Sequence, residues 1–341
     1  MLPDQLQRAM YGFIESAALF AAYRCGLLGQ LAAAEGAVPV AALAHSCAMA
    51  PHLAERLLNA GCAAGLVVQA PGALSAYALA GPMRDYFTPA SPRFVGSFIE
   101  HLAARTFPAA ASLSAVVQRH DGADAGADAA PASAIFAALY RDEGKAAAFL
   151  AAMWNLGAAS ARELVQDPVF GSARQLVDLG GGPGHFAIAA AEQHAGLSAT
   201  VYDLAPVAPH FNGYASASGA RARLRFIAGD FWSDALPAAD LYALGYVLSD
   251  WKRGHCVALL RRIHAALAPG GYVLIAEKLF DPGRHSPYST LMLDLAMLLE
   301  TEGEHRTVQG YQELLHEAGF TPLRVRRSSQ DKHLVIGHKA H

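Results

Sequence analysis

Residues 176–186, LVDLGGGPGHF, limit what this chain can fold into more than any other stretch. They read as a hydrophobic strand ending in Asp178, then a turn of Gly180, Gly181, Gly182, Pro183 and Gly184, then an alanine-rich helix over 188–193. Glycines at such a junction let the backbone take left-handed conformations and bring bare amide N–H groups to a ligand at a helix N-terminus. A phosphate loop requires Lys and then Ser or Thr after the last glycine, and His185 and Phe186 stand there instead. The dinucleotide fingerprint spaces its glycines as GxGxxG, whereas this run is contiguous and follows an acid. A carboxylate there repels a pyrophosphate and suits a cation, an ammonium or a sulfonium.

Two more predicted strands end in acids. Residues 200–203 place Asp203, with Leu204 beside it, to accept hydrogen bonds from ribose hydroxyls. Residues 224–228 lead into Gly229, Asp230 and Phe231, an acid and a ring suited to the amino group and face of an adenine. A doubly wound domain whose acids only cap helices is the competing reading. A fourth strand, 240–244, runs into Tyr246-Val247-Leu248-Ser249-Asp250-Trp251, a helix spans 255–267, and a fifth strand spans 272–277. Helices at 291–299 and 311–318 precede closing strands at 323–326 and 333–337. The alternation predicts a mostly parallel sheet with antiparallel strands at its C-terminal end.

Ahead of the glycine turn, apolar residues recur at helical spacing over 4–23, 27–34, 40–46 and 51–63, followed by strands at 66–68 and 75–79. Helices and a hairpin in this order make a winged-helix pattern. Further helices are predicted over 94–117, with Pro108 as a break, and over 135–150 and 151–165. Residues 120–133, HDGADAGADAAPAS, read as a polar surface loop. Three parts follow: 1–90, 91–174 and 175–341.

Winged helices often bind DNA, but a net charge of −3 with 16% charged residues gives no electrostatic case for it. In the helix that would enter a groove, Arg56 stands among His52, Glu55 and Asn59, a poor phosphate-binding face. No basic start precedes a long apolar run, so neither a signal peptide nor a membrane span is expected. Cys25, Cys47, Cys62 and Cys256 form no CxxC pair and read as reduced thiols, each a small buried hydrophobe. No metal site is expected, since His185, His194, His210, His255 and His264 lack ligand spacing.

The strings LVDLGGGPG, GDFW, YVLSDW, APGG and LLETEGEHRT together resemble the acetylserotonin (hydroxyindole) O-methyltransferase family and its bacterial small-molecule relatives, class I methyltransferases that use S-adenosylmethionine (SAM). The resemblance covers nearly the whole chain. It implies an α/β, Rossmann-like class I methyltransferase domain with an N-terminal helical, winged-helix dimerisation domain. It further implies a cytoplasmic homodimer, a small-molecule acceptor such as an aromatic or polyketide hydroxyl, and no nucleic acid, membrane or metal. Gly180 and Gly182 then face the amino acid part of SAM, with Asp178 among the same positions. Asp203 and Leu204 fall at the ribose, Asp230 and Phe231 at the adenine, and Tyr246 and Trp251 join the cofactor-binding set.

Two positions depart from the family pattern. The family's base is a histidine just before the Asp-Trp pair, and this chain has Ser249 there, a far poorer base near neutral pH. The family has glutamate before the Arg-Thr pair, and this chain has His305. One expectation is that His305 replaces the base, with Asp250 assisting or binding a substrate group. Another is that no base is needed, as in S-methylation of a thioether or thiol acid of the methylthiohydroxybutyrate type. Tyr140, Arg141, Tyr246 or Arg306 would then hold its carboxylate. A third is a SAM-bound protein that does not methylate. The plain alternatives are a solvated His305 and a helix-capping Asp250.

Overall fold

The computed structural model describes residues 2–119 and 133–341; of the polar stretch expected as a surface loop, only Ser133, which opens a helix, falls inside them. The chain divides into two compact units, Met1–Arg105 and Thr106–His341.

In the first unit, helices Asp4–Arg24, Leu27–Ala33, Val40–Ser46 and Pro51–Ala63 are followed by an antiparallel hairpin, matching the predicted winged-helix order. Its strands are β1 (Val38–Pro39), β2 (Val67–Ala70) and β3 (Ala73–Leu79), in the order β1-β3-β2. The two-residue β1 was not foreseen, being too short to show any period. Leu27, Leu31, Leu43, Leu58 and Tyr77 form the core, and Tyr77 donates its hydroxyl hydrogen to Asn59 Oδ1 at 2.8 Å. Asp4 and Arg24 suit the two ends of the first helix dipole. That helix buries only Ala22, leaving Leu6, Met10, Tyr11, Phe13 and Ile14 exposed.

The second unit is built on strands β4 (Gln175–Leu179), β5 (Ser198–Asp203), β6 (Leu224–Ala228), β7 (Ala239–Gly245), β8 (Leu267–Phe280), β9 (Arg306–Thr307), β10 (Thr321–Arg326) and β11 (Lys332–His338). The sheet runs β10-β11-β8-β7-β4-β5-β6, with β9 on β8. Strands β4 to β8 pair in parallel, and β11 pairs antiparallel with both β8 and β10, as the sequence predicts. Because β5 and β7 lie on opposite sides of β4, the connections diverge there and open a crevice at the carboxyl ends of the strands. Alternate strand residues feed two cores. Leu176, Val201, Leu241, Leu274 and Ile336 face one way and pack with Leu164 and Phe186, while Val177, Leu179, Leu244, Ile275 and Val335 face the other and pack with Leu260 and Leu314.

Three expectations are corrected. No boundary exists at 150/151: one helix, Glu143–Leu164, runs through, because its alanine-rich interior holds no stop and Asp142 caps it by accepting from Lys145 N at 3.0 Å. Pro108 does not break a helix but occupies the first turn of Phe107–Ala110, where its missing N–H is not needed. Of the cysteines, only Cys256 is buried; Cys25 ends the first helix at the surface, and Cys47 and Cys62 are half-buried.

Candidate active site

The glycine turn is tight on every side. Gly180, Gly182 and Gly184 have φ of +65°, +54° and +84°. A Cβ would stand 2.9 Å from Val247 Cγ2 at Gly180, 2.7 Å from Asp178 Cγ at Gly181 and 2.6 Å from Phe211 Cδ2 at Gly184. Left-handed backbone and close packing both demand glycine here. Asp178 is buried beneath the turn, where its Oδ2 accepts from Ala187 N at 3.1 Å, and burial pushes its carboxyl up to about 7. Asp203 accepts from Gly182 N at 2.8 Å through Oδ2 and from Leu204 N at 2.7 Å through Oδ1; burial pushes it up to about 6. Each oxygen of Asp203 keeps a second lone pair for a ligand hydroxyl.

Across from the turn, Phe231 Cε1 lies 3.5 Å from where a Cβ on Gly180 would be. Asp230 Oδ1 accepts from Trp232 N at 2.9 Å, while its own N–H donates to Asp234 Oδ2 at 2.9 Å, which fixes the bend that presents Phe231. Trp232 stands edge-on between Phe231 at 5.2 Å and Trp251 at 5.3 Å. Trp251 is therefore buried behind Trp232, not open to the crevice, and its Nε1 has no hydrogen-bond partner.

The 3-10 turn Leu248–Asp250 is held from two sides. Arg306 donates to Leu248 O and Glu304 O through Nη1 and to Trp251 O through Nη2, each at 3.0 Å. With its donors on carbonyls, Arg306 is not the carboxylate holder entertained above. Tyr140 is buried and Arg141 exposed. Ser249 N donates to Glu277 Oε1 at 3.2 Å. Tyr246, just before the turn, is held at φ +56°. Asp250 does not cap the next helix, Arg253–Ala266, whose N-cap is Lys252. Burial, then the charges of Glu277 and Glu300, push the Asp250 carboxyl well above the usual range.

His305 is fully buried, which excludes a solvated loop histidine. Its backbone N–H donates to Asp294 Oδ1 at 2.6 Å, and its Nδ1 lies 3.9 Å from Glu277 Oε2. Neither ring nitrogen, nor Glu277 Oε2, has a hydrogen-bond partner. Burial, then the charges of Lys278 and Arg306, push the imidazole down to about 3, while burial pushes Glu277 up to about 7. Sequence reasoning missed Glu277, whose signal is a carboxylate within the apolar run of β8.

The crevice fits SAM in chemistry: a turn of glycines that carries no side chains of its own, a strand-end carboxylate with free lone pairs, and an aromatic ring facing the turn. Among the described residues no group of three His, Cys, Asp or Glu side chains could hold a metal, and no helix is long and apolar enough to cross a membrane.

The model of the O-methyltransferase domain family matches residues 112–321, and that of the O-methyltransferase dimerisation domain matches residues 7–88. The chain belongs to the O-methyltransferase family. Acetylserotonin O-methyltransferase of Mus musculus is 35% identical to this methyltransferase over 333 residues, covering 96% of this chain and 86% of the relative. The tetracenomycin polyketide synthesis 8-O-methyl transferase of Streptomyces glaucescens is 30% identical, covering 98% and 95%. The crystal structure of human N-acetylserotonin methyltransferase in complex with SAM matches this enzyme with a TM-score of 0.87 and 31% identity, covering 99% of this chain and 97% of that one. The methyltransferase thus has the class I fold with a helical N-terminal dimerisation domain.

Proposed function

We propose that this enzyme transfers a methyl group from SAM to a hydroxyl of a small aromatic or polyketide acceptor, with His305 as proton acceptor and Glu277 as its partner. When bound, SAM supplies an electrophilic methyl on a sulfonium. Gly180 and Gly182 would meet its amino acid part, Asp203 with Leu204 its ribose, and Asp230 and Phe231 its adenine, with Asp178 bracing the turn from below. Tyr246 and Trp251 complete this set, Trp251 through Trp232.

One observation carries the assignment of the base: a buried imidazole with both nitrogens free stands 3.9 Å from a carboxylate oxygen that is also free. Ser249 N–H fixes the other oxygen of Glu277, so Ser249 serves as a positioning residue. With Nδ1–H turned to Glu277, Nε2 is left to take the hydroxyl proton. Opposite unit charges at that separation attract by about 4 kcal/mol at an effective dielectric of about 20. Once ionised, Glu277 therefore returns to the ring some of the basicity that burial removes. The neutral carboxyl that burial favours on Asp250 would donate to the acceptor.

A second reading, S-methylation of a thioether or thiol acid, is favoured by the low basicity of His305 and by Ser249 in the family's base position. A thioether has no proton to lose. Transfer of labelled methyl to phenols, hydroxyindoles and thioether acids, with His305→Ala alongside, separates these readings. Labelled ether whose formation collapses in His305→Ala and loses a titration near neutral pH supports the first. Labelled sulfonium supports the second, and SAM binding without transfer would leave a non-methylating protein.

We also infer a cytoplasmic homodimer. The dimerisation-domain match, the exposed apolar face of Asp4–Arg24 and four free cysteines support it. Residues 91–174, read apart from 1–90 and 175–341, would supply walls of the acceptor pocket.

A further inference from the structure

Lys332 opens β11 and is 1% exposed, yet its Nζ has no hydrogen-bond partner. Its cross-strand neighbour on β8, Lys278, is paired with Asp331 at 2.7 Å, so the carboxylate nearest Lys332 in sequence is already engaged. The Lys332 side chain instead crosses β8 toward the end of β7. Ala276 and Gly245, paired across β8 and β7, leave that path open, and a Cβ on Gly245 would stand 3.2 Å from Nζ. The ammonium ends 3.8 Å from the centroid of the Tyr246 ring, which the left-handed φ of +56° presents to it. His305 also neighbours that ring, at 6.4 Å between centroids.

A buried ammonium without a hydrogen-bond acceptor is a costly arrangement that a protein keeps only with a compensating partner. The cation–π contact offsets part of the cost. Asp178 and Glu277 lower the potential around it, Lys278 raises it, and His185, whose ring nitrogens are also unpartnered, is held neutral by burial and by Lys332 itself. None of these gives Nζ a hydrogen bond. The position is at the carboxyl end of the sheet, where the crevice opens, and it shares the Tyr246 ring with the proposed base.

We propose that Lys332 Nζ anchors a carboxylate of a molecule bound in this crevice. The inference rests on the methyl-transfer reading and deepens it: the carboxylate belongs either to the amino acid part of the cofactor or to an acid acceptor. It replaces Arg306, which spends three donors on backbone carbonyls, as the cation for such a group.

Calorimetry on the full chain distinguishes the two sources. The probes are S-adenosylhomocysteine, its decarboxylated analogue, and, on the S-adenosylhomocysteine complex, 4-hydroxybenzoate and its methyl ester. In Lys332→Met, a loss of tenfold or more in S-adenosylhomocysteine affinity, with the decarboxylated analogue unaffected, assigns the carboxylate to the cofactor. Unchanged S-adenosylhomocysteine affinity with a lost preference for acid over ester assigns it to the acceptor. Lys332→Arg should restore part of either effect. If Lys332→Met does not fold, the wild-type comparisons stand alone: a carboxylate anchored here must improve binding at least tenfold in one pair. Affinities for S-adenosylhomocysteine and its decarboxylated analogue within twofold, together with no preference for the acid over its ester, would overturn the proposal. Absence of methyl transfer with the cofactor pair still discriminated would sink the functional reading alone.

Discussion

Gly303 packs flat against the backbone of Ser249: a Cβ at 303 would fall inside the contact distance of the Ser249 carbonyl oxygen and of the peptide that follows it. The loop bearing His305 and the turn bearing Ser249 are thus set on each other backbone to backbone, with Arg306 bonding the carbonyls on either side. Gly303→Ala must push them apart. Overpacking of this kind costs about 1–3 kcal/mol, and rigid main chain puts it at the upper end. A urea midpoint unchanged from wild type would show that the two segments are not locked together.

Asp203→Ala removes the acceptor for Gly182 N and Leu204 N, and Asp230→Ala removes the one that fixes the Phe231 bend. Each variant should bind SAM at least tenfold more weakly by calorimetry. Unchanged affinity in both would withdraw the cofactor assignment.

Glu277 carries a pH dependence whose sign is fixed by its environment. Burial outweighs Lys332, Arg306 and the Ser249 bonds and raises its pKa from the ordinary 4.5 to about 7. Folding therefore favours the protonated acid, a contribution fully present below pH 4.5 and lost as pH rises through 7. Glu277→Gln keeps the acceptor for Ser249 N but does not titrate. Its melting temperature should gain on wild type between pH 4.5 and 7, by about 2–4 °C for each kcal/mol, and then level off. A constant difference across that range would contradict a buried carboxyl. His305, pushed down to about 3, stays neutral over this range in both proteins.

Met10 and Ile14 lie one turn apart on the exposed face of the first helix. If the proposed homodimer is built on this face, Met10→Asp with Ile14→Asp should halve the sedimenting mass at micromolar concentration while leaving the helical circular dichroism intact. An unchanged mass would count against a dimer contact on this face.

Much of this was legible because it is local. The glycine turn, the acid-ended strands and the winged-helix order are written in contiguous residues whose period and punctuation can be read locally, and Asp178, Asp203 and Phe231 meet at the crevice as their strand ends require. Glu277 and Lys332 were not legible. A lysine at the start of a strand ordinarily reaches solvent; this one is buried because β11 inserts beside β8, and because two positions across the sheet, Ala276 and Gly245, happen to be small. The depth of His305 has the same origin, since it comes from the close approach of Gly303 to a turn more than fifty residues earlier in the chain.

Strand β11 comes after every other strand of the sheet in sequence but pairs inside it, between β10 and β8. As the polypeptide leaves the ribosome, the glycine turn and its acids are all synthesised while β8 still presents an open edge and β10 has no neighbour. The last strand delivered closes that edge and carries in the buried ammonium together. Until it arrives, a nascent chain holds most of the residues of the crevice on an unfinished sheet, a state that invites pairing with the wrong strand.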